Sequence, residues 1–247
     1  MTSFSAQSVG GRRIAVVLAA GNGSRTGLDT PKQFCQLAGH PMVAYSLSAF
    51  ERHPLVDETA VVVHPDYVSL LHELAARYGW RKLRHVIPGG ATRMASSRAA
   101  VSAYAAEPAA RLLLHDAARP LVSADVVGRL CAALEQHEAA AVALPSVDTL
   151  LCVEGGTRVT AVPDRSTLWR AQTPQAFRQS VLQQAHEAAA CEVAAGVATD
   201  DCGLVLRYCP GVHIQVVEGS EEMFKVTFRA DFSRAARWLD LHPLYRP

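Results

Sequence analysis

Two cations seven residues apart flank a run of glycines. The segment Leu18-Ala19-Ala20-Gly21-Asn22-Gly23-Ser24-Arg25-Thr26-Gly27 leads on to Pro31-Lys32-Gln33. Glycines directly after a strand let the backbone approach a phosphate with its amide N–H groups turned toward it. Arg25 and Lys32 on either side of such a cradle are what an attacked α-phosphate requires, because charge builds on its equatorial oxygens in the transition state. Neither common phosphate loop is present. A dinucleotide fingerprint starting at Gly21 would need its third glycine where Thr26 stands, and the next strand, ending at His64, carries no acid to hold a ribose. A Walker loop needs Gly-Lys-Ser/Thr, a tripeptide absent from the chain. Taken alone, the segment is equally a tight turn with two solvated cations.

Two further loops carry suitable groups. In Pro88-Gly89-Gly90-Ala91-Thr92-Arg93-Met94-Ala95-Ser96, the glycines can bring backbone groups against a flat base, and the Ser96 hydroxyl can read its edge. The same residues also suit an ordinary strand-to-helix turn. In His115-Asp116-Ala117-Ala118-Arg119-Pro120, an acid at a strand end beside phosphates is the usual holder of Mg2+, and Arg119 adds a contact to phosphate or hydroxyl. Here a helix cap at Asp116 and a packed imidazole at His115 are the plainer alternatives.

These loops need a scaffold that gathers them. Short β-branched runs at Ile14–Leu18, Thr59–Val63, Leu83–Ile87, Arg111–Leu114 and Ala140–Leu144 alternate with helical patterns at Pro41–Arg52, Tyr67–Tyr78, Arg93–Tyr104 and Ala124–His137. That alternation predicts an α/β fold, a doubly wound and mostly parallel sheet covered on both faces. Ligands then bind at the carboxyl ends of the strands, in the loops starting at Ala19, His64, Pro88, His115 and Pro145. The rhythm breaks after Leu144. Thr149–Val153 and Arg158–Val162, joined by Glu154-Gly155-Gly156-Thr157, predict an inserted β-hairpin arm spanning 146–169. Helices follow at Arg178–Ala190, around Asp200–Arg207 and at Ala230–Leu241, with a strand at Val212–Val217. Residues before Arg12 and after His242 read as disordered ends, leaving one domain over 12–242.

Composition narrows the partners. The 247 residues suit a single α/β domain, and 49% hydrophobic with 19% charged residues is a globular profile. Lys and Arg number 24 against 23 Asp and Glu, a net charge of +1, so no global field draws the chain to nucleic acid or anionic lipid. Its six cysteines show no Cys-x-x-Cys spacing, which predicts free thiols in a reducing compartment. The apolar run Ile14–Ala20 is too short for a secretory segment, and no later run approaches a membrane span. A cytoplasmic protein is expected.

The combination Ala19-Ala20-Gly21-x-Gly23-x-Arg25 with Pro31-Lys32-Gln33 resembles the nucleotidyltransferases that activate sugar and polyol phosphates with CTP or related nucleotides. The resemblance narrows with Asp148-Thr149, Asp164-Arg165, Leu168-Trp169, Gln172-Thr173-Pro174-Gln175, Thr199-Asp200-Asp201 and Phe224-Lys225-Val226-Thr227. Together these motifs resemble the 2-C-methyl-D-erythritol 4-phosphate cytidylyltransferases of the non-mevalonate isoprenoid pathway, from about Ile14 to Leu239. The resemblance implies catalytic roles for Arg25, Lys32, Arg165 and Lys225, the first two stabilising the triphosphate and the pentavalent transition state. It implies CTP binding by Ala19, Ala20, Gly21, Asn22, Gly23, Gly89, Gly90, Ala91, Ser96 and Asp116. Asp116 would also hold Mg2+, and Asp116, Arg119, Thr149, Arg165 and Lys225 would surround the polyol phosphate. A homodimer clasped through the arm is implied as well.

Two departures lie on the acceptor side. Asp148-Thr149 runs into Leu150-Leu151-Cys152 where the family usually has an apolar residue and a lysine, and Thr199-Asp200-Asp201 runs into Cys202-Gly203 in place of Ala-Ser. A ribitol 5-phosphate or other pentitol phosphate cytidylyltransferase is therefore the alternative acceptor reading. A catalytically silent nucleotide-binding module is the alternative of a different class.

Overall fold

The computed structural model describes residues 11–21, 30–191 and 199–247. The first half winds β1 (Arg13–Ala19), a two-residue ladder of β2 (Gln36–Leu37) and β3 (His40–Pro41), α1 (Met42–Arg52), β4 (Glu58–Val63), α2 (Val68–Tyr78), β5 (Leu83–Pro88) and α3 (Arg93–Ala103). Next come β6 (Arg111–Asp116), α4 (Ala124–Ala133), β7 (Ala139–Pro145) and the hairpin β8 (Cys152–Glu154) with β9 (Arg158–Ala161). The chain closes with β10 (Trp169–Arg178), α5 (Gln179–Ala190), α6 (Asp201–Tyr208), β11 (Ile214–Glu218) and α7 (Arg229–Leu241).

Seven strands form one sheet in the order β11-β7-β10-β6-β1-β4-β5. All neighbours are parallel except β10, which runs antiparallel to both β6 and β7. Successive β1 side chains point to opposite faces, as strand geometry dictates. Ala15, Val17 and Ala19 pack with α1, α2 and α4 on one face, while Ile14 and Val16 pack with α3, α5 and α6 on the other. A third cluster seats α7 through Ala235 and Leu239 on Leu37, Met42 and Tyr45.

The expected mostly parallel, doubly wound α/β sheet is thus present, with one strand that the sequence pattern did not announce. β10 reads Trp-Arg-Ala-Gln-Thr-Pro-Gln-Ala-Phe-Arg, without β-branched runs, yet Gln172, Thr173 and Gln175 are buried. Buried polar side chains are tolerated because each is hydrogen-bonded. Gln172 exchanges two bonds with the Ser220 backbone, Thr173 serves β6, and Gln175 binds the Asp200 carboxylate and the Cys202 N–H. Pro174, after a cis peptide, falls where the β10–β7 ladder is irregular, the position at which a strand accepts proline.

The tail after His242 is a second correction. It forms a turn at Pro243–Tyr245, with Trp238 stacked on His242 at 3.9 Å and Arg52 donating to the Arg246 carbonyl at 2.9 Å. The expected disordered stretch before Arg12 falls mainly on residues 1–10, outside the described residues. The hairpin arm is present, its turn made by Gly155 and Gly156 at φ +59° and +74°, left-handed values that glycine adopts without strain.

Candidate active site

The carboxyl ends of β1, β4, β5 and β6 open onto a cleft of about 790 Å³. Leu18 to Gly21, Lys32, Gln33, His64, Pro65, Gly89 to Arg93, Ser96, Asp116 to Ala118, Thr199 and Lys225 line it. Four of the five expected loops meet there. The fifth, from Pro145, does not line the cleft, because β10 lies between β6 and β7 and displaces that strand end by a full sheet position.

Gln33 explains why the motif is Pro-Lys-Gln. Its buried amide donates to the carbonyls of Ala19 at 2.6 Å and Gly21 at 2.9 Å, tying the start of the glycine loop to the turn that carries Lys32. Lys32 in turn donates from Nζ to the Val226 carbonyl at 2.9 Å, one residue beyond Lys225. The Val226 N–H binds the Ala118 carbonyl at 2.8 Å, so three separate stretches of chain are tied together at one rim.

Asp116 is the centre of charge. Its Oδ2 accepts from Lys225 Nζ at 2.7 Å and its Oδ1 from Arg93 Nε at 3.3 Å. Burial alone would raise its pKa, but the charges of Arg93 and Lys225 hold it far below the usual carboxylate range, so it stays ionised. The strand end that presents it is pinned from behind. The Asp116 N–H donates to Thr173 Oγ1 at 3.1 Å, Thr173 meets His115 Nδ1 at 3.1 Å, and His115 Nε2 reaches the Arg119 carbonyl at 2.9 Å. A carbonyl can only accept, which assigns the proton to Nε2. Burial lowers the His115 pKa to about 4 and keeps the ring neutral. His115 is thus the packed core imidazole.

The turn after β5 is shaped from within. Thr92 caps α3 by accepting from the Ala95 N–H at 3.0 Å. Ser96 Oγ donates to the Thr92 carbonyl at 3.0 Å and accepts from the Gly90 N–H at 3.2 Å. A Cβ at Gly89 would stand 2.4 Å from the Ala20 Cβ, and one at Gly90 2.4 Å from the Ala95 Cβ. These glycines let the β5–α3 turn close against the first loop.

The cleft therefore unites Ala19, Ala20, Gly21, Lys32, Gly89, Gly90, Ala91, Ser96, Asp116 and Lys225. Asn22, Gly23 and Arg25 lie outside the described residues. Arg119 does not line the cleft; its guanidinium donates to the carbonyls of Met223 at 2.8 Å and Ala171 at 3.0 Å, strapping the Lys225 loop to β10. Thr149 and Arg165 sit on the arm, exposed and away from the cleft of their own chain, with Arg165 donating to the Val147 carbonyl at 3.1 Å.

Arg93 is a further functional residue, and its position in the chain signals it. It occupies the first turn of α3, where the helix dipole disfavours a cation. Two carboxylates hold it there: Asp116 and, at 2.8 Å from Nη1, Asp201. Among the described residues no cluster of three His, Cys, Asp or Glu stands together. A divalent cation would rest on Asp116 and on substrate phosphates, the manner in which Mg2+ with its retained waters is ordinarily held.

Comparison with known proteins matches this arrangement. The model of the family described as 2-C-methyl-D-erythritol 4-phosphate cytidylyltransferase matches residues 13–240. The protein of that name from Cereibacter sphaeroides is 42% identical over 227 residues, covering 92% of this chain and 96% of the relative. The one from Thermobifida fusca is 41% identical over 229 residues, covering 91% and 92%. The crystal structure of a 4-diphosphocytidyl-2C-methyl-D-erythritol synthase from Anaerococcus prevotii superimposes with a TM-score of 0.80 at 25% identity, covering 93% of this chain and 99% of that one.

Proposed function

The chain belongs to the 2-C-methyl-D-erythritol 4-phosphate cytidylyltransferase family, and from that premise we propose how its own residues carry the reaction. The enzyme transfers a cytidylyl group from CTP to 2-C-methyl-D-erythritol 4-phosphate, giving 4-diphosphocytidyl-2-C-methyl-D-erythritol and pyrophosphate in the non-mevalonate isoprenoid pathway. The acceptor phosphate is an anion near neutral pH and attacks the α-phosphorus in line, without a general base. What the protein must supply is positioning and neutralisation of charge.

Lys32 and Arg25 stabilise the charge that develops on the α-phosphate. The backbone of Ala19 to Gly23 cradles the triphosphate, and the turn of Gly89, Gly90 and Ala91, held in shape by Ser96, receives the base. Asp116 would hold Mg2+, which would supply neutralisation of phosphate charge. Lys225 exchanges Asp116 for the acceptor phosphate. The observation that carries this reading is the convergence of Lys32, Lys225 and Asp116 at one rim, although the three lie far apart in sequence.

Thr149 and Arg165 complete the acceptor pocket of a second subunit. Their absence from the lining of their own cleft supports this, as does the arm itself: every residue from 147 to 162 is exposed, and Val147, Leu151, Val153, Val159 and Val162 are each more than half exposed. An apolar patch of that kind marks an interaction surface, here a homodimer. No described helix is long and apolar enough to cross a membrane.

The test is pyrophosphate release with Mg2+, each nucleoside triphosphate and each polyol phosphate in turn. Release only with CTP and methylerythritol phosphate is expected. Release only with ribitol phosphate would reassign the acceptor, and none with any pair would leave a silent module.

A further inference from the structure

Behind the cleft wall runs a polar chain that the transfer as described does not use. His186 on α5 is buried, and Ser97 on α3 and Asp201 on α6 are fully so. Ser97 Oγ donates to Asp201 Oδ1 at 2.5 Å and lies 3.3 Å from His186 Nε2. Asp201 Oδ2 stands 2.8 Å from Arg93 Nη1, and Arg93 Nε stands 3.3 Å from Asp116 Oδ1. The series from α5 to the cleft is continuous.

A carboxylate with no exposure loses several kcal/mol of hydration that a single ion pair rarely restores. A leucine at position 201 would join α3, α5 and α6 with less loss. What a leucine would not do is share Arg93 between two acids. The guanidinium lies nearer Asp201 than Asp116, and its approach to Asp201 is close without being aligned as a hydrogen bond. A guanidinium with only Asp116 to face would move fully onto that carboxylate and compete with any cation for it.

We propose that Asp201 is a positioning residue for the transfer: held by Ser97, it draws Arg93 back from Asp116 and so leaves that carboxylate available to Mg2+ and nucleotide. This rests on the reading of Asp116 as the metal-holding acid. Asp201→Asn keeps the shape and removes the charge. Ser97→Ala keeps the charge and removes its anchor.

Calorimetric titration of the full-length enzyme with CTP, in the presence and absence of Mn2+, reads the gain in affinity that the metal provides. Asp201→Asn is expected to cut that gain about tenfold, the scale seen when a residue supporting a metal ligand is lost, and to raise the Mg2+ needed for half-maximal turnover by a similar factor. Ser97→Ala should act in the same direction by about threefold, the loss of one hydrogen bond. A merely structural Asp201 would lower the melting temperature and leave the metal gain of the folded fraction unchanged. A gain within twofold of the parent in both variants overturns the inference alone. If Asp201→Asn does not fold, Ser97→Ala decides. A parent enzyme that releases pyrophosphate from CTP yet shows no metal gain overturns the reading of Asp116, and this inference with it.

Discussion

The cleft and the arm both carry residues assigned to one reaction, and they are built in opposite ways. Around the cleft, polar side chains are buried and cross-tied: Gln33 to the glycine loop, Lys32 to Val226, Thr173 to Asp116. Along the arm, β8 and β9 pair only with each other, and the ties at its base run between Ser146 and Leu168 and between Arg165 and Val147. A site formed within one chain can fix its groups before substrate arrives, which lowers the reorganisation needed in the transition state. An arm that leaves its apolar side chains in solvent has no such order to offer its own chain.

The largest expected effect isolates the cleft. On the role proposed for Lys32, Lys32→Ala removes a cation from the reacting phosphate while leaving the core intact, so turnover should fall about 10²-fold or more with little change in melting temperature. Steady-state pyrophosphate release alongside a thermal melt measures both. Near-normal turnover would remove Lys32 from the chemistry.

A smaller effect isolates the arm. On the role proposed for Arg165, Arg165→Ala loses one charge-assisted contact to the acceptor, worth about 1.5–3 kcal/mol, so the acceptor KM should rise roughly tenfold or more while CTP binding is retained. Mixing the two variants then separates the regions. If the arm serves the neighbouring cleft, random exchange places one intact site in each mixed dimer, and activity should recover to about a quarter of the parent's. If Arg165 serves its own cleft, both sites of a mixed dimer stay defective and no recovery occurs.

The sequence showed the two regions unequally. The parallel strands and the loops after them are legible because near-continuous apolar runs follow from burial on both faces of the sheet. Asp116 and the Gly89-Gly90 turn thus follow legible strands, and Lys32 stands in the short turn beyond the glycine loop. β10 was illegible for the opposite reason. Half of its six buried positions are the polar Gln172, Thr173 and Gln175, whose place inside depends on partners in Ser220, Asp116 and Asp200 that no local pattern reveals. The pairing of Arg93 with Asp201 is hidden likewise, since an acid beginning a helix looks like an ordinary terminus and its partner lies on another helix. The arm is readable as a hairpin from Glu154-Gly155-Gly156-Thr157, but nothing within it tells what its exposed residues face.

The mildest expected effect at neutral pH is on stability and again divides the regions. His53, His115 and His186 are buried in the core, and burial lowers the pKa of each, that of His115 to about 4. The unfolded chain protonates these rings near the ordinary histidine value, about 6.5, and the folded core resists until lower pH. Between those limits the unfolded state binds more protons, so stability is full above about pH 6.5 and declines as pH falls toward 4. The arm holds no histidine between residues 146 and 169, and its Asp164, held below the usual range by the Ser166 N–H, remains ionised over that interval. Hydrogen exchange at pH 7 and pH 5 should show protection lost from β6, α3 and α5 with the β8–β9 amides unchanged. Equal loss in core and hairpin would mean that the arm owes its order to the core of its own chain, and the contrast drawn between the two regions would fail.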